Sequence, residues 1–307
     1  MKKTISIGEV LLDVYTKDGI SQVEVGGASF NVACSIAAIK DNQSYFMGAL
    51  GSDKYTTEIN KIIHKFNLEK DFIKTYSAPN TIAKVTLDAK GERNFNFLRK
   101  SDNKFKFSRI NQDSLNDLNF VHFGSATAFL RGKLRTSYKK MLAYCLANEI
   151  KFSFDPNFRD KLWKTKESIK KFRKLCSPYI SGCDLLKFSE EKLFLLTEIH
   201  DLDLTINHLM QINFRALICI TRGSKDTLIG WNKEILNVPT ISLEKVIDTT
   251  GAGDAFVAKL INEFVNKEVN SKTSKEDIFE IIKSANQFAN NAVKYFGAIT
   301  FLDHLSK

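Results

Sequence analysis

Short runs of apolar residues recur along the chain, and each ends in a polar or glycine-containing loop. Ile5 to Ile7 stops at Gly8-Glu9, Phe120 to Phe123 at Gly124-Ser125, and Phe152 to Phe154 at Asp155-Pro156-Asn157. Leu185-Leu186 gives way to Lys187 and Ser189, Leu217 to Ile220 to Thr221-Arg222-Gly223-Ser224, and Val246-Ile247 to a segment that starts at Asp248. Runs this short, bounded by turn residues, predict buried strands. Helical periodicity fills many of the intervals, as from Leu134 to Leu146 and from Ile278 to Tyr295. Strands alternating with helices predict an α/β fold with a doubly wound, mostly parallel sheet flanked by helices. Ligands of such sheets bind beyond the carboxyl ends of the strands. Reactive residue types fall at those ends repeatedly here, although βα loops are polar in any fold of this kind.

Two stretches break the alternation. Residues 10–25 read Val10 to Tyr15, a turn at Lys17-Asp18-Gly19, then Gln22 to Val25. Residues 81–99 read Thr81 to Leu87, a turn at Asp88-Ala89-Lys90-Gly91, then Asn94 to Leu98. Both predict β-hairpins. Together they form either a small β-sheet lid over the ligand edge, able to exclude water from a reaction, or ordinary edge strands. No low-complexity linker or internal repeat divides the chain. The expectation is one domain over residues 1–307 with a lid built from about 10–25 and 81–99.

With 307 residues, 43% of them hydrophobic and 26% charged, the chain can build a full globular core. The net charge of +10 admits two explanations. A basic surface binds nucleic acid, or lysines spread over solvated helix faces draw in small anions. No block of five Lys/Arg occurs, and the densest stretch, Lys161 to Lys174, is interrupted by Trp163, Glu167, Ile169 and Phe172 as on an amphipathic helix. No nucleic-acid partner is expected. Five cysteines lie scattered without a C-x-x-C pair, as small core residues do in a reducing compartment. Glu9 and Asp13 interrupt the apolar stretch after the basic start, which argues against a secretory signal, and no run of 18 apolar residues predicts a membrane span. A cytoplasmic location without membrane partners is the expectation.

The segment Asp248-Thr249-Thr250-Gly251-Ala252-Gly253-Asp254-Ala255-Phe256 carries the most chemistry. It reads as strand, glycine loop and helix. Two glycines at a helix start allow a tight turn and leave amides free to face an anion, which the helix dipole also attracts. Asp254 falls in the first turn, where it can accept a proton from a substrate hydroxyl. The dipole there favours a charged carboxylate and so predicts a weak base. An anion cradle beside a carboxylate is what phosphoryl transfer to an alcohol needs. Taken alone, the segment is equally a capped helix after an ordinary turn. It is not a Walker A loop, since no Lys follows the glycines, nor a dinucleotide fingerprint, since the third glycine is missing.

Gly26-Gly27-Ala28-Ser29-Phe30-Asn31-Val32-Ala33 resembles the sugar-binding element of the ribokinase-like (PfkB) carbohydrate kinases, with Ser29 in place of the usual Pro. The Asp248 to Asp254 loop resembles that family's C-terminal signature, and the similarity runs nearly end to end. The resemblance implies an ATP-dependent kinase that uses magnesium and, in some relatives, potassium. It implies Asp254 as the base and Gly251, Ala252 and Gly253 as the anion hole. Asp13, Gly26, Gly27 and Asn31 would meet the sugar, and Arg99 would reach sugar or phosphate or else remain a solvated charge. Thr221, Gly223 and Ser224 match the nucleotide-phosphate loop, while Asn290 and Gly297 would flank the adenine. Asp248 and Thr250 would contribute to a monovalent-cation site.

Three features resemble the fructokinases within that family. They are Gly8-Glu9-Val10-Leu11-Leu12-Asp13, Asp155-Pro156-Asn157-Phe158-Arg159 with Leu162-Trp163, and Lys187-Phe188-Ser189-Glu190-Glu191. They imply Asn157 and Arg159 at sugar or phosphate and Lys187 at the nucleotide, with fructose phosphorylated at O6. The 2-keto-3-deoxygluconate kinases share parts of this pattern, other sugar or nucleoside acceptors are open, and a sugar-sensing pseudokinase is the reading of another class. Lys192 stands where many relatives have a Glu that acts on the metal, with Glu190 or Glu191 as its substitute or a register one residue off as the alternatives; Lys259 replaces a common Gly, and Asp226 stands where the nucleotide loop often has Gly. Lid hairpins with exposed edges also predict a possible homodimer.

Overall fold

The computed structural model describes residues 1–17, 20–87, 93–241 and 243–305. Thirteen strands occur in chain order: β1 (Lys3–Ile7), β2 (Leu11–Lys17), β3 (Ile20–Gly26), β4 (Gln43–Leu50), β5 (Ile73–Thr75), β6 (Ile82–Leu87), β7 (Arg93–Leu98), β8 (Leu118–Phe123), β9 (Lys151–Phe154), β10 (Leu185–Ser189), β11 (Leu217–Arg222), β12 (Lys225–Trp231) and β13 (Glu234–Val238). The α-helices are α1 (Ala28–Ile39), α2 (Thr56–Lys65), α3 (Lys133–Ala147), α4 (Lys166–Gly182), α5 (Glu190–Thr197), α6 (Leu202–Ile212), α7 (Ala252–Asn266) and α8 (Lys275–Ala292).

Nine strands form the main sheet in the order β13-β12-β11-β10-β9-β8-β1-β4-β5. Neighbours from β11 to β5 pair in parallel, while β12 and β13 close the edge antiparallel. Period-two alternation sends successive side chains to opposite faces. Leu186, Phe188, Ile218, Ile220, Val121 and Phe123 enter the core beneath α3 to α6. Leu185, Leu217, Cys219 and Phe120 enter the core beneath α1, α7 and α8. On the first face Phe123 meets Tyr138, Phe152 and Tyr179 at ring-centroid distances of 5.1, 5.5 and 5.2 Å in T-shaped contacts, the arrangement ring quadrupoles favour.

Helix starts follow local chemistry. Thr165 and Ser168 form a reciprocal capping box at α4. Asp201 and Ser274 accept the amides of Leu204 and Asp277 at 2.8 and 3.1 Å at the starts of α6 and α8. Among the described residues no helix is long and apolar enough to cross a membrane, and all five cysteines are buried and unpaired.

The strands expected at residues 5–7, 120–123, 152–154, 185–186 and 217–220 are present as β1, β8, β9, β10 and β11. Val246-Ile247 is not a strand. Both side chains are about half exposed, and the segment is instead pinned by the Ile247 amide, which donates to the Val293 carbonyl at 2.8 Å. The two expected hairpins are β2–β3 and β6–β7, and they join through parallel pairing of β2 with β6 into a second, four-stranded sheet. Their turn residues Asp18-Gly19 and Asp88 to Gly91 lie outside the described residues.

A buried carboxylate roots this second sheet on the main one. Asp102 is 0% exposed. It accepts from Thr81 Oγ1 at 2.6 Å just before β6, from Arg99 Nε at 2.7 Å just after β7, and from Thr127 Oγ1 at 2.8 Å beyond β8. The Arg99 guanidinium also donates to the Arg131 carbonyl at 3.2 Å. Asp102→Ala leaves a largely buried guanidinium without its counter-charge. Urea denaturation is expected to show a loss of about 3–5 kcal/mol, the range for removing one partner of a buried ion pair.

Candidate active site

The carboxyl ends of β1, β9 and β10, the start of α7 and the second sheet enclose a cavity of about 420 Å³. Glycine conformation shapes two of its walls. Gly27, ahead of α1, has φ +109°, and a Cβ there would lie 2.7 Å from the Glu9 carbonyl oxygen. Gly251, the residue before α7, has φ +79°, and a Cβ there would lie 2.6 Å from Ala298 Cα. Loop 248–251 therefore packs directly on the chain at residue 298. Asp248, 4% exposed, ties the two together. Its Oδ1 accepts from the Thr250 amide and hydroxyl at 3.0 and 2.7 Å, and its Oδ2 from the Gly297 amide at 3.1 Å.

Asp254, in the first turn of α7, lines the cavity. Its Oδ2 accepts a 2.8 Å hydrogen bond from Asn31 Nδ2 on α1, which joins the two sequence motifs in one contact. Burial raises the carboxyl to about 6, against the lowering effects of the Asn31 hydrogen bond and the Arg159 and Lys187 charges. The weak base expected from the helix dipole is therefore corrected: desolvation outweighs the favourable charges. Asn31 is 5% exposed, and its Oδ1 has no hydrogen-bond partner among the described residues. That orphaned acceptor also belongs to the cavity wall.

The amides of Gly251, Gly253 and Asp254 make no hydrogen bond among the described residues, as expected in a helix first turn. The Ala252 amide differs, because it donates to the Thr249 carbonyl at 3.3 Å. Lys187 Nζ lies 3.1 Å from where a Cβ on Gly253 would sit, so a fixed cation stands beside the free amides. That ammonium pairs with Asp155 Oδ2 at 3.0 Å, and both groups are nearly buried. Asp155 Oδ1 in turn accepts the Asn157 amide at 3.0 Å, holding Asn157 at φ 44°. Asn157 Nδ2 donates to the Gly124 carbonyl at 2.9 Å.

Asp13, Gly27, Asn31, Asn157, Arg159, Lys187, Thr250, Gly251, Gly253 and Asp254 all line the cavity. Gly26, Ala252 and Asp248 are neighbours of it rather than lining residues. Arg99 is not among the lining residues; its guanidinium is held by Asp102 and largely buried, so it is not a solvated charge. Thr221, near the end of β11, and Gly223 and Ser224, in the β11–β12 turn, sit outside. Thr221 is in register with the cavity residue Ser189 and donates to the Phe188 carbonyl at 3.2 Å. Asn290 donates to the Ile241 carbonyl at 2.9 Å, and Gly297 lies on Asp248, also outside the cavity.

Sequence reasoning missed Glu9 and Phe97. Glu9 is 0% exposed and accepts from the Ser125 hydroxyl and from the amides of Ala28 and Ala126 at 3.3 and 3.2 Å, so it serves the start of α1; burial raises its carboxyl. An acid at the end of the first apolar run was the available signal. Phe97 belongs to β7, and only the second sheet's place along the cavity brings it in. Neither Glu190 nor Glu191 lines the cavity, whereas Lys192 does.

A kinase acting here would need a divalent ion. Among the described residues no group of three His, Cys, Asp or Glu side chains could hold one. This donor set fits an ion carried mainly by phosphate oxygens and water, the usual state of magnesium, with Asp155 the carboxylate on that side of the cavity.

Comparison with known proteins places this geometry in a family. Fructokinase-1 of Zea mays is 28% identical over 309 residues, covering 97% of this chain and 94% of the maize protein. A fructokinase of Xylella fastidiosa with bound ATP superposes with a TM-score of 0.85 at 27% identity, covering 97% of this chain and 94% of that one. A fructokinase of Vibrio cholerae O395 bound to fructose, ADP and a calcium ion shares the fold, with a TM-score of 0.84 at 23% identity and coverage of 98% and 96%. The family model for pfkB family carbohydrate kinases matches residues 1–305, and the chain belongs to that family, whose members are phosphotransferases with an alcohol group as acceptor.

Proposed function

We propose that this sugar kinase transfers the γ-phosphoryl group of ATP to a primary hydroxyl of a small sugar, D-fructose at O6. The observation that carries the reading is the Asp254 carboxylate, held by Asn31, in one cavity with the free amides of Gly251, Gly253 and Asp254 and the Lys187 ammonium. The likeness to fructokinases supports the choice of sugar.

Asp254 accepts the proton of the acceptor hydroxyl. Its raised value makes it a better base than an ordinary aspartate and keeps it ionised at neutral pH. The orphaned Asn31 Oδ1 accepts a sugar hydroxyl, and Asp13 accepts another across the cavity. The amides at the start of α7 and Lys187 stabilise charge on the transferring group. Phe97 and Leu11 of the second sheet make that sheet a lid that shields the site from water. Magnesium, when bound with the nucleotide, neutralises charge on the phosphate oxygens. Potassium beside Asp248 and Thr250 is a further part of the proposal, supported by a buried carboxylate that fixes the loop. Thr221, Gly223, Ser224, Asn290 and Gly297 would serve the nucleotide beyond the cavity. The unpaired outer edges of β3 and β7 among the described residues support a homodimer through the lid.

Arg159 favours one second reading. Its guanidinium lines the cavity without a hydrogen-bond or ion-pair partner among the described residues, which suits an acidic acceptor such as 2-keto-3-deoxygluconate. Purified protein assayed with ATP and magnesium against a panel of acceptors separates the two. The expected result is a kcat/KM for fructose at least about tenfold above that for sugar acids or nucleosides. Highest kcat/KM for a sugar acid replaces fructose by that acceptor, and no turnover with any acceptor removes the kinase reading.

Asp254→Asn is expected to cut kcat by roughly two to four decades, the range for loss of a general base. Near-normal turnover removes Asp254 from the mechanism. The folded carboxyl titrates above its unfolded value, so its ionisation costs stability as pH rises through about 6. The Asn variant should therefore melt no lower than the wild type at pH 8, as differential scanning calorimetry will show.

The pH–rate profile follows from the same group. kcat/KM is expected to rise with pH through about 6 as Asp254 loses its proton, then level off. A profile flat from pH 5 to 8 assigns the base elsewhere.

A further inference from the structure

Cations cluster at one end of the cavity. Asp13 and Glu9 stand on the side of the second sheet and α1, while Asp254, at the start of α7, feels the Arg159 and Lys187 charges. Arg159, Lys187 and Lys192 gather at the ends of β9 and β10 around one carboxylate, Asp155. Lys187 takes that carboxylate at 3.0 Å. Arg159 and Lys192 have no carboxylate within salt-bridge distance among the described residues.

Lys192 is not a loosely solvated charge. It sits in the first turn of α5, and its Nζ donates to the Phe158 carbonyl at 2.8 Å while lying 6.0 Å from the Phe158 ring centroid. Since Phe158 precedes Arg159, this anchor sets the ammonium beside the guanidinium. Burial and the Arg159 charge lower the lysine's value, against the raising effects of Glu191, Asp155 and Asp160. An ammonium has three donors, and one is used. The fold thus holds a partly buried ammonium beside an exposed guanidinium, an arrangement that an incoming polyanion relieves.

We infer that Lys192, with Arg159, binds the phosphate chain of the nucleotide directly and takes over part of the charge neutralisation that a divalent ion supplies. The inference rests on the proposed kinase reading and deepens it. A neutral sugar has no use for two cations that lack ion-pair partners. A bare metal ion is repelled from this wall and enters only with the phosphates that carry it. The nucleotide should accordingly bind well without metal.

The test is calorimetric titration of ADP and ATP into the full chain, in EDTA and in magnesium, for the wild type, Lys192→Met and Lys192→Arg. In the wild type, removing magnesium is expected to weaken ADP by less than about tenfold. Lys192→Met should weaken metal-free ADP by about tenfold, the loss of one charge-assisted hydrogen bond, and magnesium-bound ADP by less. Lys192→Arg should stay near the wild type. An unchanged metal-free affinity in Lys192→Met overturns the inference and leaves the kinase reading standing. So does a loss seen only in the affinity for gluconate, which would assign the cation to an acidic acceptor. Wild-type protein that binds no nucleotide in either condition sinks the inference and the kinase reading together.

Discussion

The packing of α1 against α7 is the constraint on which the site depends. Val32 and Ile36 of α1 share a core with Phe256, Val257 and Leu260 of α7. At the end away from the cavity the contact is locked by polar groups, with Asn42 donating to Asn262 at 2.7 Å and Asn262 to Asp41 at 2.9 Å. At the cavity end it delivers Asn31 onto Asp254. Neither motif makes a site by itself. One supplies polar contacts and no base, and the other supplies a base whose position nothing local fixes. Helix–helix burial brings them to hydrogen-bond distance, and the same burial desolvates the carboxyl and raises its proton affinity.

The sequence was most legible where one physical rule acted alone. Buried parallel strands are continuous apolar runs, so β1, β8, β9, β10 and β11 stood out, as did α3 and α8 by their periodicity. β4, β12 and β13 did not, because Gln43-Ser44 and Lys225-Asp226-Thr227 dilute the apolar signal with polar residues that the sheet tolerates. Val246-Ile247 misled in the other direction, since two apolar residues are too few to distinguish a strand from a surface segment.

The site followed the same logic. Ten of the singled-out residues meet in one cavity because strand ends and a helix start carry them there. The ion pair of Arg99 was not legible because its counter-charge, Asp102, is close in sequence but is held by Thr81 and Thr127, which only the tertiary fold brings to it. Asp254's basicity was misjudged for a related reason. A helix dipole can be read from position, whereas desolvation depends on everything packed around the group.

The clasp between loop 248–251 and residues 297–298 has a consequence for biosynthesis. The Asp248 carboxylate accepts the Gly297 amide, and the Ala298 backbone leaves room at residue 251 only for a glycine. A ribosome that has released residue 254 has therefore not yet made the segment that pins this loop. The stretch ahead of Asp254 takes its final clasp only once the chain beyond α8 has emerged.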